Sequence, residues 1–213
     1  MGQQINQYTI DRTTFGDDDY YDIDYWDGAT YQTAKIKGSV IKSAMGSGGL
    51  YSQTTQSATI NTTGEQTLVG SGVGSLLVDR DVFQIGDSFH GKIGGKINAT
   101  GGGGRSEITI KVKAGSTILA STGVFDLDNA TNSGWELELD FTIATIGASG
   151  TICTNGNFVY NKDSNREIFG HIFQDVQTID TTIPNTLDIT AEWNVLNTGD
   201  DIYSANFVLY KVY

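Results

Sequence analysis

Cysteine and proline occur once each in the 213 residues, histidine occurs twice, and 13 Lys and Arg stand against 25 Asp and Glu. A lone thiol, Cys153, excludes an intramolecular disulfide and structural zinc of the Cys-rich kind. In "GTICTNGNFVY" it reads as a half-buried strand thiol, with no histidine nearby in sequence to activate it. The formal charge of −12 repels phosphate backbones, so no nucleic-acid partner is expected. Apolar runs fall short of the roughly 18 residues of a membrane-spanning helix, so no membrane insertion is expected by that route. The opening "MGQQINQYTIDR" has no basic stretch followed by an apolar one, so no Sec-type leader is expected either. His90 and His171 lie outside ligand spacing of each other and of Cys153, and point to neither a metal centre nor a triad.

What is abundant is glycine, at 27, with Thr, Ser, Asn, Ile and Val between the glycines, which is the composition of short strands joined by turns. Phe89, Gly91, Ile93, Gly95, Ile97 and Ala99 alternate with His90, Lys92, Lys96 and Asn98, as on a strand with one face on a core. "GGGG" at 101–104 and the alternation of Ile108, Ile110 and Val112 after it predict a hairpin. The same period runs through Trp135, Leu137, Leu139, Phe141 and Ile143, and through Leu187, Ile189, Ala191, Trp193 and Val195. Further strands are expected at 57–63, 66–78, 116–121, 151–160 and 203–213. The predicted class is all-β, an antiparallel two-sheet sandwich over 57–213 with jelly-roll topology favoured. On the last strand Tyr203, Ala205, Phe207, Leu209 and Tyr213 share one parity, while Val208, Tyr210 and Val212 make the other parity apolar as well. Such a strand is central to a core or is buried against a neighbouring subunit.

Residues 1–45 follow other rules, and "GSGG" opens a flexible linker over 46–56. Ile36, Val40, Ile41, Ala44 and Met45 fall at helical spacing, with Ser39 as a cap, so the segment is expected to be extended and then briefly helical. "DDDYYDIDYWDG" at 17–28 fails as an EF-hand, since Trp26 takes the fifth position and Thr33 the twelfth. It is too aromatic for an inert acidic tail. Tyr20, Tyr21, Ile23, Tyr25 and Trp26 therefore read as docking anchors between solubilising Asp residues, joined by Ile36, Val40 and Ile41. "GGGGRSE" at 101–107 lacks the Lys and following helix of a phosphate loop. The acids Glu136, Glu138 and Asp140, and Asp126 with Asp128, fit a solvated strand face better than a glycosidase pair. Nothing in these residues predicts an enzyme, a metal or a cofactor. The acceptor patterns at Asn61, Asn98 and Asn129 reflect a composition rich in Asn and Thr.

"SLLVDRDVFQIGDSFHGKIGGKI" (75–97), "NSGWELELDFTIATIG" (132–147) and "NTLDITAEWNVLNTGDDIYSANFVLYKVY" (185–213) resemble C-terminal domains of virion structural proteins, especially fibre or appendage proteins of tailed and marine viruses. Those domains are similar to trimeric jelly rolls of the tumour-necrosis-factor and C1q type. "DIDYWDGATYQTAKIKGSVIKSAM" (22–45) resembles the N-terminal segment of such phage proteins. The resemblance implies a homotrimer with the last strand near the three-fold axis, and hence Val208, Tyr210 and Val212 at the interface. It also implies an N-terminus docked on capsid or tail proteins, and a head on the virion exterior that contacts a host-surface glycan or protein, all made in the host cytoplasm. With no shaft between anchor and head, a short spike or decoration protein is expected. A free carbohydrate-binding lectin or adhesin is the alternative.

Overall fold

A computed structural model of the chain describes residues 20–26, 30–37, 49–101, 103–162 and 168–212. It divides into two units, 1–48 and 49–213. In the first, β1 (Tyr20–Trp26) and β2 (Tyr31–Lys37) pair antiparallel, with Tyr21 opposite Ile36 and Ile23 opposite Ala34. The expected helix therefore does not begin at Ile36, which is a strand residue. Two helical turns are unstable alone, whereas a ladder partner satisfies the backbone of a β-branched residue at once. Val40, Ile41, Ala44 and Met45 lie outside the described residues.

The second unit runs through β3 (Gly49–Gln53), β4 (Gln66–Thr67), β5 (Gly72–Gly74), β6 (Leu77–Val78), β7 (Ser88–Ala99), β8 (Glu107–Ala114), β9 (Thr117–Ser121) and β10 (Phe125–Asp126). It continues through β11 (Ala130–Thr145), β12 (Gly150–Asn161), β13 (Ile168–Ile179), β14 (Asn185–Val195) and β15 (Asp201–Lys211). One antiparallel sheet has the order β13-β12-β11-β7-β15-β3-β5, and the other β10-β8-β14-β4, with β9 on β8 and β6 on β14. The pairing is nested: β3 with β15, β4 with β14, β7 with β11, and β8 with β9. One apolar core lies between the sheets, and of the predicted inward sets Ile93 and Ile97, Leu137, Leu139 and Ile143, and Ile189, Ala191 and Trp193 are buried in it, whereas Val195, past a register shift after Trp193, is exposed instead.

Three expectations are corrected. Residues 46–56 are no simple linker, because β3 is a strand of the larger sheet and its Tyr51 is buried against Phe207. Gln53 on the same strand donates from Nε2 to the buried Ser204 hydroxyl at 2.9 Å and accepts from the Gly70 amide at 3.0 Å. Ser204 in turn donates to the Leu68 carbonyl. Next, β7 and β8 are not a hairpin, since they belong to opposite sheets. The glycine stretch between them crosses the sandwich, and the buried Asp200 carboxylate holds the crossing. It accepts from the Thr100 amide at 3.0 Å, the Asn197 amide at 2.6 Å and the Ser106 hydroxyl. Last, 57–63 is irregular, touching the sheet by an Ile60–Ile202 bridge, and 66–78 is broken into three short strands.

β13, an edge strand, had no counterpart among the strands expected from sequence. Its inner side carries Phe173 over Gly156, where a Cβ would stand 2.2 Å from the ring, so any larger residue there would have to displace the ring. Its inward parity also holds Asp175, and an inward charge discourages pairing at a sheet edge.

Outside the smaller sheet, Glu65 takes Lys111 at 2.6 Å and Lys113 at 2.7 Å, and Lys111 also reaches Glu192 at 2.8 Å. Hydrogen bonds from the two ammonium groups lower the Glu65 carboxyl from 4.5 to about 2. Because the folded value is depressed, its contribution to stability is fully present above about pH 4.5 and is lost as pH falls toward 2. Glu65→Gln is expected to flatten the urea-midpoint profile between those limits. Asp200→Ala, which orphans buried amides and hydroxyls, is expected to lower stability by about 2 kcal/mol or more in the same assay.

Candidate interaction face

The outer face of the seven-stranded sheet is ordered by strand. On β11 the outward residues are Glu136, Glu138 and Asp140, on β7 they are His90 and Lys92, and on β15 they are Val208 and Tyr210. Lys92 bridges Glu136 at 2.8 Å and Glu138 at 3.4 Å, and these hydrogen bonds raise its ammonium above the usual lysine value. His90 Nδ1 lies 2.9 Å from Asp140, and its ring is 5.1 Å from that of Tyr210. Glu136 and Glu138 are thus matched by Lys92 one strand over, with the His90 ring beside Asp140, and β15 with the residue that follows it is left as an apolar file. Val208, Tyr210 and Val212 are 43%, 41% and 63% exposed.

The parity predicted for the last strand is half right. Ile202 and Ser204 are buried, Ala205 is exposed, and beyond it Phe207 and Leu209 are buried. A bulge between Ser204 and Asn206 changes the parity, and it sits opposite Gly95 and Gly94 of β7. A Cβ on Gly95 would stand 1.9 Å from the Tyr203 carbonyl oxygen, and one on Gly94 would stand 2.9 Å from that of Trp135. Only glycine admits the bulge at this point. The Trp135 indole N–H is shared between the Lys96 and Tyr203 carbonyls at 3.1 and 3.0 Å. Around the bulge lies a recess of about 480 Å³ bordered by Lys92, Lys96, Glu136, Asn206, Val208 and Tyr210. Sequence reasoning missed Lys96, Asn206 and Gly94 as parts of one place; the adjacent glycines inside a strand were the available signal.

The remaining candidates fall elsewhere. Tyr20, Tyr21, Ile23, Tyr25 and Trp26 are consecutive or alternate residues of β1, and Ile36 is on β2; Tyr20 is exposed, with the Lys37 ammonium 5.6 Å from its ring. Val40 and Ile41 lie outside the described residues. Asp126 and Asp128 flank Arg105 at 3.6 Å each, and Lys162 reaches Asp128 at 2.6 Å, so these acids are ion-paired. His171 stacks on Phe125 at 5.9 Å, and Cys153 is half-buried. Among the described residues no group of three or more His, Cys, Asp and Glu is placed to hold a metal ion. Nor does any helix there have the length and apolarity to cross a membrane. Compared with protein families, curated proteins and solved structures, the chain matches none.

Gly95→Ala is expected to lose about 2 kcal/mol or more of stability in urea unfolding, because the added methyl meets backbone rather than a movable side chain. Unchanged stability would mean that the bulge does not need this glycine.

Proposed function

We propose that the chain is a structural protein of a virus particle, a homotrimeric head carried on a short N-terminal attachment segment. The apolar file Val208, Tyr210 and Val212 carries this proposal: it lies on the open face of a strand interior to its sheet. An apolar stripe in that position is buried most simply by copies of itself around a symmetry axis. The nested pairing supports a jelly roll, since a long hairpin rolled on itself pairs first strand with last and so inward to the middle. On this view β12 and β13 are a hairpin added at the edge beyond β11. The aromatic and acidic β1 and β2 form a two-stranded ribbon, which is marginal in water by itself, and a capsid or tail protein would complete it. The head would project from the virion exterior toward a host-surface glycan or protein.

At micromolar concentration the full chain is expected to scatter light as three copies, and the Val208→Asp, Val212→Asp double variant as one with an unchanged circular dichroism spectrum. A monomeric wild type would sink the trimer. Removal of 1–48 is expected to abolish incorporation into particles.

The recess beside Tyr210 favours a second reading, a free carbohydrate-binding lectin or adhesin. A half-exposed ring beside Lys92, Glu136 and Asn206 offers a stacking surface with hydrogen-bonding groups around it. A monomer whose glycan binding disappears in Tyr210→Ala would favour this alternative.

A further inference from the structure

At one end of the sandwich the two sheets part around an apolar cavity of about 160 Å³. Phe89, Phe141 and Ile152 line it from the larger sheet, and Ala114, Leu119 and Leu187 from the smaller. Phe83, on the segment before β7, closes one side with its ring edge-on to Phe89 at 6.0 Å. The segment from Ser75 to Asp87 spans this end and is pinned to the sheets along its length. Ser75 N donates to the Leu50 carbonyl at 2.8 Å, Asp81 N to that of Thr181 at 2.9 Å, and Gly86 N to that of Ile143 at 2.8 Å. The opening is therefore a built feature of the backbone.

Two polar side chains reach the wall, and both have partners within the chain. The Ser75 hydroxyl accepts from the Leu77 amide and donates to the Leu77 carbonyl, both at 3.0 Å, while Asn185 Nδ2 donates to the Asp180 and Ile183 carbonyls at 2.8 and 2.9 Å. Water needs two or more polar partners to settle in a cavity, and this wall is nearly all hydrocarbon, so it disfavours water. The pocket is partly open to solvent, and its apolar lining forgoes dispersion contacts on the open side. The volume is close to the roughly 150 Å³ at which an apolar cavity takes up benzene.

We infer that this cavity is a binding site for an uncharged hydrocarbon group about the size of a benzene ring. Shape and an apolar lining select the ligand, and no hydrogen bond to it is required. Ala114 is the smallest side chain of the lining, and the rings of Phe83 and Phe89 are its largest together with Phe141. None of the proposed interface residues Val208, Tyr210 and Val212 lines it.

Toluene, added to the full-length protein during thermal unfolding, tests the site. At ten times its Kd it is expected to raise Tm by roughly 3 to 6 °C, and to shift the NMR resonances of Phe89 and Leu119. Ala114→Leu extends a side chain into the space; it should keep its own Tm at or above that of the wild type and show no rise with toluene. If that variant fails to fold, Leu187→Phe at the partly exposed rim asks the same question. An unmoved wild-type Tm would overturn the site, and so would an equal rise in the filled variant.

Discussion

The close approach of β15 to Gly94 and Gly95 is the constraint from which most of this molecule follows. A side chain at Gly95 would collide with the Tyr203 carbonyl, so the glycine pair permits the bulge between Ser204 and Asn206. The bulge in turn lets one strand bury Ile202 and Ser204 on one side of it and Phe207 and Leu209 on the other. Without the change of parity, either the polar contact of Ser204 with Gln53 or the core contact of Phe207 with Tyr51 would be lost. The outward placement of Val208 and Tyr210 is the other side of the same choice.

Buried polar groups then decide which strand joins which sheet. Apolar side chains would pack in several arrangements, but Asp200 is satisfied only when the turn before β15 meets both ends of the glycine crossing. Likewise Ser204 and Gln53 are satisfied only with β3 beside β15 and Leu68 above them. A misplaced strand would leave these groups dry and unpaired, at a cost of a few kcal/mol each. Outside the core the outer face is ordered the same way, with Glu136 and Glu138 of β11 against Lys92 of β7 and Asp140 hydrogen-bonded to the His90 ring.

Period-two alternation made much of this legible in the residues. β7, β11 and β14 stand where Ile93, Leu137 and Ile189 placed them, since those strands keep one face on the core over most of their length, β14 losing it past the register shift at Val195. Connectivity was harder. "GGGG" between two alternating runs describes a hairpin and a sheet crossing equally well, and the deciding group, Asp200, lies about a hundred residues away. β13 was hidden because Ile172 and Val176 point outward while Phe173 and Ile179 point inward, so neither parity is polar. The file Val208, Tyr210 and Val212 was visible in sequence, whereas the recess beside it was not, because it is assembled from three strands.

Nesting of the strand pairs also sets an order in time. β3, near residue 50, waits for β15, past residue 200, and β4 waits for β14. Local turns cannot close such a core, so loop-closure entropy must be overcome before the long-range contacts repay it, and folding belongs to the slow regime of sheet proteins. On the ribosome, β3, β4, β6, β7 and β8 each lack at least one final partner until β14 and β15 have emerged. The inward charge of Asp175 on β13 and the short reach of β5 guard both edges of the larger sheet through that interval.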